Sequence, residues 1–455
     1  MRKFNYILAL FISANLLISC QEEEPPLPDN LVQFEAQSMG FESQANEVTI
    51  KVRLSRASTA PVPLTITMQP SGIAYGTEFT TEPAATNNKL TLTIPAGGTE
   101  ASFKVVKANG VLLDGDESIA FEISSSSQEV VVNGDAVVTL SFSEILSQGN
   151  TMELNGGGAT YPNIVFVDLS ANRQAAVPRT AWDLGFYTGS DFRVVLNNPT
   201  GAMAIALDKT DLTQVTAADT VALVAKLTLD AFSPEAMAYI DDVEGDLSKT
   251  AIAAISATEA ENKVYIINRG TKGAAARRWK KVRIIRNGNN YKVQYANING
   301  TGMQEASVSK DSKYNFRYLS FENGAVEVEP AKERWDIAWS AYTYKAGTIP
   351  YFYQDMVLLN NMGGAEVAKV QTSSVSYDAF NESNLSGLTY SSSRLAIGAD
   401  WRFTTGTGAP NVYADRFYIV KDADGNIYKL KFSAMTTNGE RGKPQIQYAL
   451  VKKGA

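Results

Sequence analysis

From Leu31 to about Ile145, apolar and polar residues alternate with a period of two in short runs separated by turns. Glu47 to Leu54, Lys89 to Ile94 and Val138 to Phe142 each place their aliphatic and aromatic side chains on one face and their polar ones on the other. That pattern, recurring over about 115 residues, predicts a two-sheet β-sandwich. A mostly polar stretch, 147–159, follows and contains Gly156-Gly157-Gly158, which reads as a flexible linker. Beyond it, β-type runs recur in a fixed order. Val167-Asp168-Leu169-Ser170-Ala171-Asn172 leads through Pro178 to Trp182-Asp183-Leu184-Gly185-Phe186, and Leu319-Ser320-Phe321-Glu322-Asn323-Gly324 leads through Pro330 to Trp335-Asp336-Ile337-Ala338-Trp339. The two Trp-Asp pairs lie 153 positions apart. Each is followed by a Leu-Asn-Asn segment, ending at Asn198 and at Asn361, and then by a hairpin turning at Asn287-Gly288 or Asp424-Gly425.

The expected fold is therefore mostly β: an amino-terminal sandwich over 31–146, then two β-rich domains of similar plan over 160–305 and 306–455, with some helix. The helix is expected within Asp211 to Ile255, rich in Ala, Leu, Asp and Glu, where Ser233-Pro234-Glu235 has the form of a helix start.

The amino end carries a different signal. Arg2 and Lys3 precede an apolar run of about a dozen residues, Ile7 to Ile18, too short to span a bilayer but suited to a secretory signal over residues 1–19. Leu17-Ile18-Ser19-Cys20 resembles a bacterial lipobox, which makes Cys20, the only cysteine, the expected lipidated residue. An ordinary signal with a chance Cys is the alternative. Residues 20–30 read as a tether, Gln21-Glu22-Glu23-Glu24 resembling the acidic export signal of Bacteroidetes surface lipoproteins, or else forming a plain spacer. The anchor would be the acyl chains, on the outer membrane and facing the cell exterior.

Composition removes whole classes of chemistry. The 455 residues include no His, so the usual zinc ligand and the Ser-His-Asp and Cys-His constellations are absent. Cleavage before Cys20 leaves 39 basic against 48 acidic side chains, a formal charge of −9, which argues against nucleic acid as a partner. No pair of carboxylates is marked out for catalysis, and a non-enzymatic protein is expected.

The sandwich resembles a Calx-beta domain. The resemblance rests on Gly76-Thr77-Glu78-Phe79, on Ile94-Pro95-Ala96-Gly97, and on Leu113-Asp114-Gly115-Asp116-Glu117-Ser118 before Phe121-Glu122-Ile123. Some members of that family bind calcium through acidic end loops, so the resemblance implies Glu42, Glu78, Asp114, Asp116 and Glu117 as calcium candidates. The alternative is solvated turn carboxylates on a spacer domain. Glu78 stands where the family usually has Asp.

The Trp-Asp strands, the Leu-Asn-Asn segments and the closing hairpin Asp424-Gly425-Asn426-Ile427-Tyr428-Lys429-Leu430 resemble the HmuY family. That resemblance implies a lipid-anchored haem-binding protein of the outer membrane, serving iron acquisition by handing haem or a related porphyrin to a TonB-dependent receptor. Family members best known for haem hold iron between two His side chains, which this chain lacks. The remaining iron donors are Met thioether and Tyr phenolate. Met203, Met356 and Met362 follow the Trp-Asp strands and Met237 lies on the expected helical segment, making these the haem candidates; core filling is the alternative for each. Trp182 and Trp335 read as core anchors, and Asp183 and Asp336 as acceptors of backbone amides.

Three further features have two readings each. Arg277-Arg278-Trp279-Lys280-Lys281 with Arg283 and Arg286 either pairs with propionates, carboxylates or phosphates or forms the basic outer face of a hairpin. Asp422-Ala423-Asp424-Gly425-Asn426 reads as a hairpin turn rather than a calcium loop. Tyr342, Tyr344, Tyr351 and Tyr353 either stack a planar ligand or sugar or bury one face of a strand pair. Two functions follow: haem capture without His, or a structural or adhesive surface lipoprotein that binds glycan or protein and has lost haem.

Overall fold

Lys89–Ile94 alternates exposed and buried side chains without a break, as a strand must when one face meets a core and the other meets water. The computed structural model describes residues 29–41, 46–108, 117–125, 130–132, 136–142, 147–272, 275–300, 302–406 and 409–454. Cys20, Glu42, Asp114 and Asp116 lie outside the described residues. Strands between Leu31 and Ser141 form two five-stranded sheets that include no strand from the rest of the chain. Phe34, Ile66, Phe79, Phe103, Phe121 and Leu140 belong to the core they share.

The carboxy-terminal two thirds is also β, but its two repeats interlock. The hairpin Asn163–Asp168 with Arg173–Pro178 opens the first repeat, yet it pairs with Ile337–Ala346, the strand after Trp335-Asp336, in the register Val165↔Trp339. Reciprocally, Phe316–Ser320 with Gly324–Val326 opens the second repeat and pairs with Leu184–Tyr187, the strand after Trp182-Asp183, in the register Gly185↔Tyr318. Two four-stranded sheets thus each contain strands from both sides of residue 305. The two halves expected as separate domains, 160–305 and 306–455, do not close as separate sheets. Beside these lie two five-stranded sheets. One runs from Met203–Ala206 to Gln304–Val308; the other contains Gly149–Glu153 paired to the last strand, Gln445–Lys452.

That pairing changes the reading of the linker. Residues 149–153 are an edge strand, and the three glycines after it are packed rather than loose. A Cβ on Gly156 would fall 2.2 Å from the Trp339 ring and 2.3 Å from the Gly442 carbonyl. Glycine serves here for close approach, not for mobility.

The Asp211–Ile255 stretch also differs from expectation. It holds one four-residue α-helix, Ala218–Val221, and short 3-10 turns, including Pro234–Tyr239. The start at Ser233 is where the sequence places it: its hydroxyl accepts the Glu235 amide. Asp211 and Asp246 likewise each accept the backbone N–H two residues on. Such local bonds offer the backbone an alternative to the helical ladder, which is why good helix composition yields only single turns.

Candidate functional site

The two exchanged sheets both contribute to the lining of one cavity of about 100 Å³. Ile164, Phe166, Ala338 and Ser340 come from one sheet, and Val195, Phe316 and Tyr318 from the other. Trp182 and Trp335 sit in equivalent places within the lining, each ring meeting an aromatic from the other repeat's hairpin. Trp182 packs edge-on against Tyr318 with centroids 4.8 Å apart, and Trp335 against Phe166 at 5.1 Å.

The Leu-Asn-Asn segments hold this arrangement. Asn197 Nδ2 donates to the carbonyls of Arg179 and Trp182, both at 2.7 Å, and Asn360 Nδ2 donates to those of Lys332 and Trp335 at 2.6 and 2.7 Å. Each buried Asn thus ties the turn after its own strand to the residues leading into its own Trp-Asp pair. The following residues, Asn198 and Asn361, reach the cavity lining.

Two carboxyls in the lining are bonded, half-buried Asp241 and buried Glu329. Asp241 accepts the amides of Leu196 at 2.6 Å and Ala251 at 2.9 Å, and Glu329 accepts the Phe316 amide at 2.7 Å and the Tyr318 hydroxyl at 3.1 Å. Burial pushes Asp241 up to about 6 and Glu329 up to about 7, against the hydrogen bonds that favour their charged forms. Half-buried Arg394 is the cation of the lining and lies 5.7 Å from the Tyr342 ring centre.

Three polar atoms of residues in this lining are buried and have no hydrogen-bond partner: Trp182 Nε1, Trp335 Nε1 and Ser340 Oγ. Buried polar groups are nearly always satisfied, so these three stand out, as do buried atoms without a hydrogen bond elsewhere, among them Asp355 Oδ1 and Arg402 Nε.

The four methionines divide into two pairs. Met362, on the turn Asn361–Gly363, is half-buried and lines the cavity, and Met356, buried, belongs to the same apolar cluster. Met203, completely buried, and Met237, half-buried, belong to a different cluster with Leu212 and Leu227. Of the four methionines, only Met362 is among the residues that line the cavity. Measured against haem, the lining fits in part: it has aromatic walls, a cation and unpaired donors for carboxylate oxygens, but one thioether, no imidazole and too little enclosed volume for a ligand of drug size, which usually takes 300–1,000 Å³.

The other sequence candidates resolve individually. Glu78 Oε2 accepts the Ala74 amide at 2.6 Å and closes its own loop. Glu117 is buried beside Gly72. Among the described residues no group of three or more acidic side chains converges as a metal site. The basic cluster is largely turned inward. Arg277 with Arg269 holds the buried Asp183, Lys281 is buried, Arg283 bonds Glu259, and Arg286 donates to the Ile255 carbonyl. Asp422 closes the predicted hairpin turn by accepting from the backbone and side chain of Asn426 at 2.7 and 2.8 Å. Tyr342 is buried, whereas Tyr351 is exposed and meets Tyr353 edge-on at 5.0 Å.

Sequence reasoning passed over Asp241, Glu329, Arg394 and Ser340. Only Ser340 carried a local signal, as a lone hydroxyl in the apolar run Ile337-Ala338-Trp339-Ser340-Ala341. The others come from segments far apart in the chain.

Among the described residues no helix is long and apolar enough to cross a membrane. Comparison with solved structures finds the apo form of the Calx CBD1 domain, 16% identical over 25% of this chain and 96% of that one, with a TM-score of 0.22. A Calx CBD12 structure is 12% identical over 58% of this chain and 79% of that one, also at 0.22. A two-domain protein of unknown function from Bacteroides fragilis is 12% identical over 39% and 70%, at 0.19. No curated protein matches the chain. The HmuY protein model matches residues 160–448, a stretch spanning both Trp-Asp repeats and well over half of the sequence, and the chain accordingly belongs to the HmuY family of haem-binding surface proteins.

Proposed function

We propose that this protein is a non-enzymatic capture lipoprotein of the outer membrane, anchored through Cys20, that binds haem or a related porphyrin without His and passes it to a TonB-dependent receptor. The observation that carries this reading is that Met362 lines one cavity between the exchanged sheets together with Trp182, Trp335 and Ser340, whose indole nitrogens and hydroxyl are buried without a partner among the described residues. Haem's chemistry asks for a soft or imidazole axial donor, apolar contact for the ring and donors for its carboxylates. Met362, the indole walls and Arg394 would supply these. An enclosed volume of about 100 Å³ means that the turns bearing Asp241 to Thr250 and Asn360 to Met362 would part to admit the ring.

The test is an absorbance titration with haem, oxidised and then reduced, on protein beginning at Cys20. A saturable Soret band, stronger for ferrous haem, lost in Met362→Ala and retained in Met203→Ala, is expected. A flat response in both oxidation states overturns the reading.

The absence of His and the small volume favour a second reading, a structural or adhesive surface lipoprotein whose haem site is lost. Glycan or protein binding with no Soret response would establish it. A calcium role for Glu42, Glu78, Asp114, Asp116 and Glu117 concerns the sandwich and is separable: calcium raising the melting temperature of the sandwich would support it.

A further inference from the structure

A second cavity, of about 360 Å³, lies on the sheet that runs from Met203–Ala206 to Gln304–Val308. Its apolar wall is Leu212, Val215, Ala296, Ile298 and Met303, with no aromatic ring among the lining residues. Met303 is 54% exposed. A large unbranched apolar side chain so open to water, beside a cavity, marks the mouth.

One charge lies in this wall. Lys281, on the strand Lys280–Asn287, is 5% exposed. Its ammonium donates to the Val215 carbonyl at 2.9 Å and forms no ion pair among the described residues. Among the nearby carboxylates, Asp219 pairs with Lys209, and Asp211 is bonded by the amide and hydroxyl of Thr213, with the charges of Arg283 and Lys281 as lesser causes of its lowered pKa and no ion pair to Lys281. An ammonium has three N–H donors, and a buried cation with one neutral acceptor is costly unless a counter-charge joins it.

We propose that this cavity binds a monoanionic aliphatic carboxylate, its head group on Lys281 and its chain along Leu212, Val215, Ile298 and Met303. A single cation matches a single negative charge, where a phosphate dianion would ask for more. A ring-free wall of Leu, Val, Ile, Ala and Met, edged by Thr213, Thr216 and Asn299, suits a flexible chain rather than a planar ligand. The site is separate from the cavity between the exchanged sheets and does not depend on porphyrin binding.

Calorimetric titration of the intact protein with decanoate and with decan-1-ol tests this. Saturable decanoate binding at least tenfold tighter than decanol is expected in the wild type, with Lys281→Met reducing decanoate affinity about tenfold and leaving decanol unchanged. Met303→Asp, at an exposed position that folding tolerates, is expected to weaken both ligands. No saturable decanoate binding, equal affinity for acid and alcohol, or undiminished decanoate affinity in Met303→Asp would each overturn the proposal.

Discussion

Asp336 accepts the backbone N–H of Leu169 at 2.8 Å, across 167 residues of sequence, and the repeat-related Asp183 accepts that of Phe321 at the same distance. Each Trp-Asp carboxyl thus pins the turn of the hairpin donated by the other repeat. Backbone bonds run beside both, from Asp336 to the Val167 carbonyl and from Asp183 to that of Leu319. The Trp-Asp motif is the fastening of the exchange. Its spacing repeats because the fastening occurs twice.

The two carboxyls differ in what surrounds them, and their variants should differ too. Asp183 is held by Arg269 through two bonds of 2.7 and 2.9 Å and by Arg277 at 3.1 Å. Asp336 pairs with no cation among the described residues: burial first, then the charges of Asp168 and Asp422, push its pKa well above the usual range. Asp183→Asn leaves buried Arg269 with only half-exposed Glu322 and should cost ~3–5 kcal/mol. Asp336→Asn keeps an acceptor for Leu169 and removes an unfavourable charge, so it should be neutral or stabilising at pH 7. Urea denaturation of both variants checks the contrast.

Glu329 makes stability depend on pH in a direction opposite to that of a paired carboxylate. Its pKa rises on folding from the ordinary 4.5 to about 7, so the folded state binds more protons in that interval. The stabilisation from its proton is complete below about pH 4.5 and is lost as pH rises through 7, by as much as ~3 kcal/mol. Glu329→Gln keeps both hydrogen-bond partners and should flatten that slope. Melting temperatures from pH 4.5 to 8 for wild type and variant decide it.

Patterns that live within a few residues were legible in the sequence, and those made by distant segments were not. Lys89–Ile94 alternates in sequence because it alternates in burial. The Trp-Asp and Leu-Asn-Asn repeats were visible because each half folds by the same local bonds, Asn197 and Asn360 included. The exchange of hairpins was hidden, since pairing Val165 with Trp339 or Gly185 with Tyr318 leaves no mark in composition or period. The cavity was hidden for the same reason: Asp241, Glu329 and Arg394 become neighbours only once the exchange is made. Met362 lines the cavity from a turn that sits directly after a recognisable strand.

Asn360, itself in the cavity lining, is bonded into the fold on both sides of its amide. Its amide donates to two carbonyls and its Oδ1 accepts from Asn315 and from the Gly363 amide, both at 3.0 Å. Asn360→Ala strands these buried partners, and at 1–3 kcal/mol for each unsatisfied group a total loss of ~3 kcal/mol or more is expected. Asn360→Asp, nearly isosteric, sets a carboxylate against the carbonyls of Lys332 and Trp335 and should cost at least as much. A variant with Asp that matched wild type in thermal denaturation would show that the donated bonds contribute little.

Gly156 separates a flexible linker from a packed one. In a linker, Gly→Ala is harmless or stabilises by ~0.4–1 kcal/mol through the unfolded chain. Here the added methyl would meet the Trp339 ring at 2.2 Å and the Gly442 carbonyl at 2.3 Å, and neither neighbour is free to yield. Trp339 is fully buried and stacked on Tyr161 with centroids 5.7 Å apart, and Gly442 is itself held at positive φ against Gly158. Moving the ring would disturb the strand that pairs with Asn163–Asp168, so the strain reaches the exchanged sheet. Gly156→Ala should therefore destabilise by ~2 kcal/mol or more, in the range seen for overpacked cores. It should also shift the fluorescence of Trp339, whereas Gly288→Ala, at a hairpin turn with open space around it, should leave that signal unchanged.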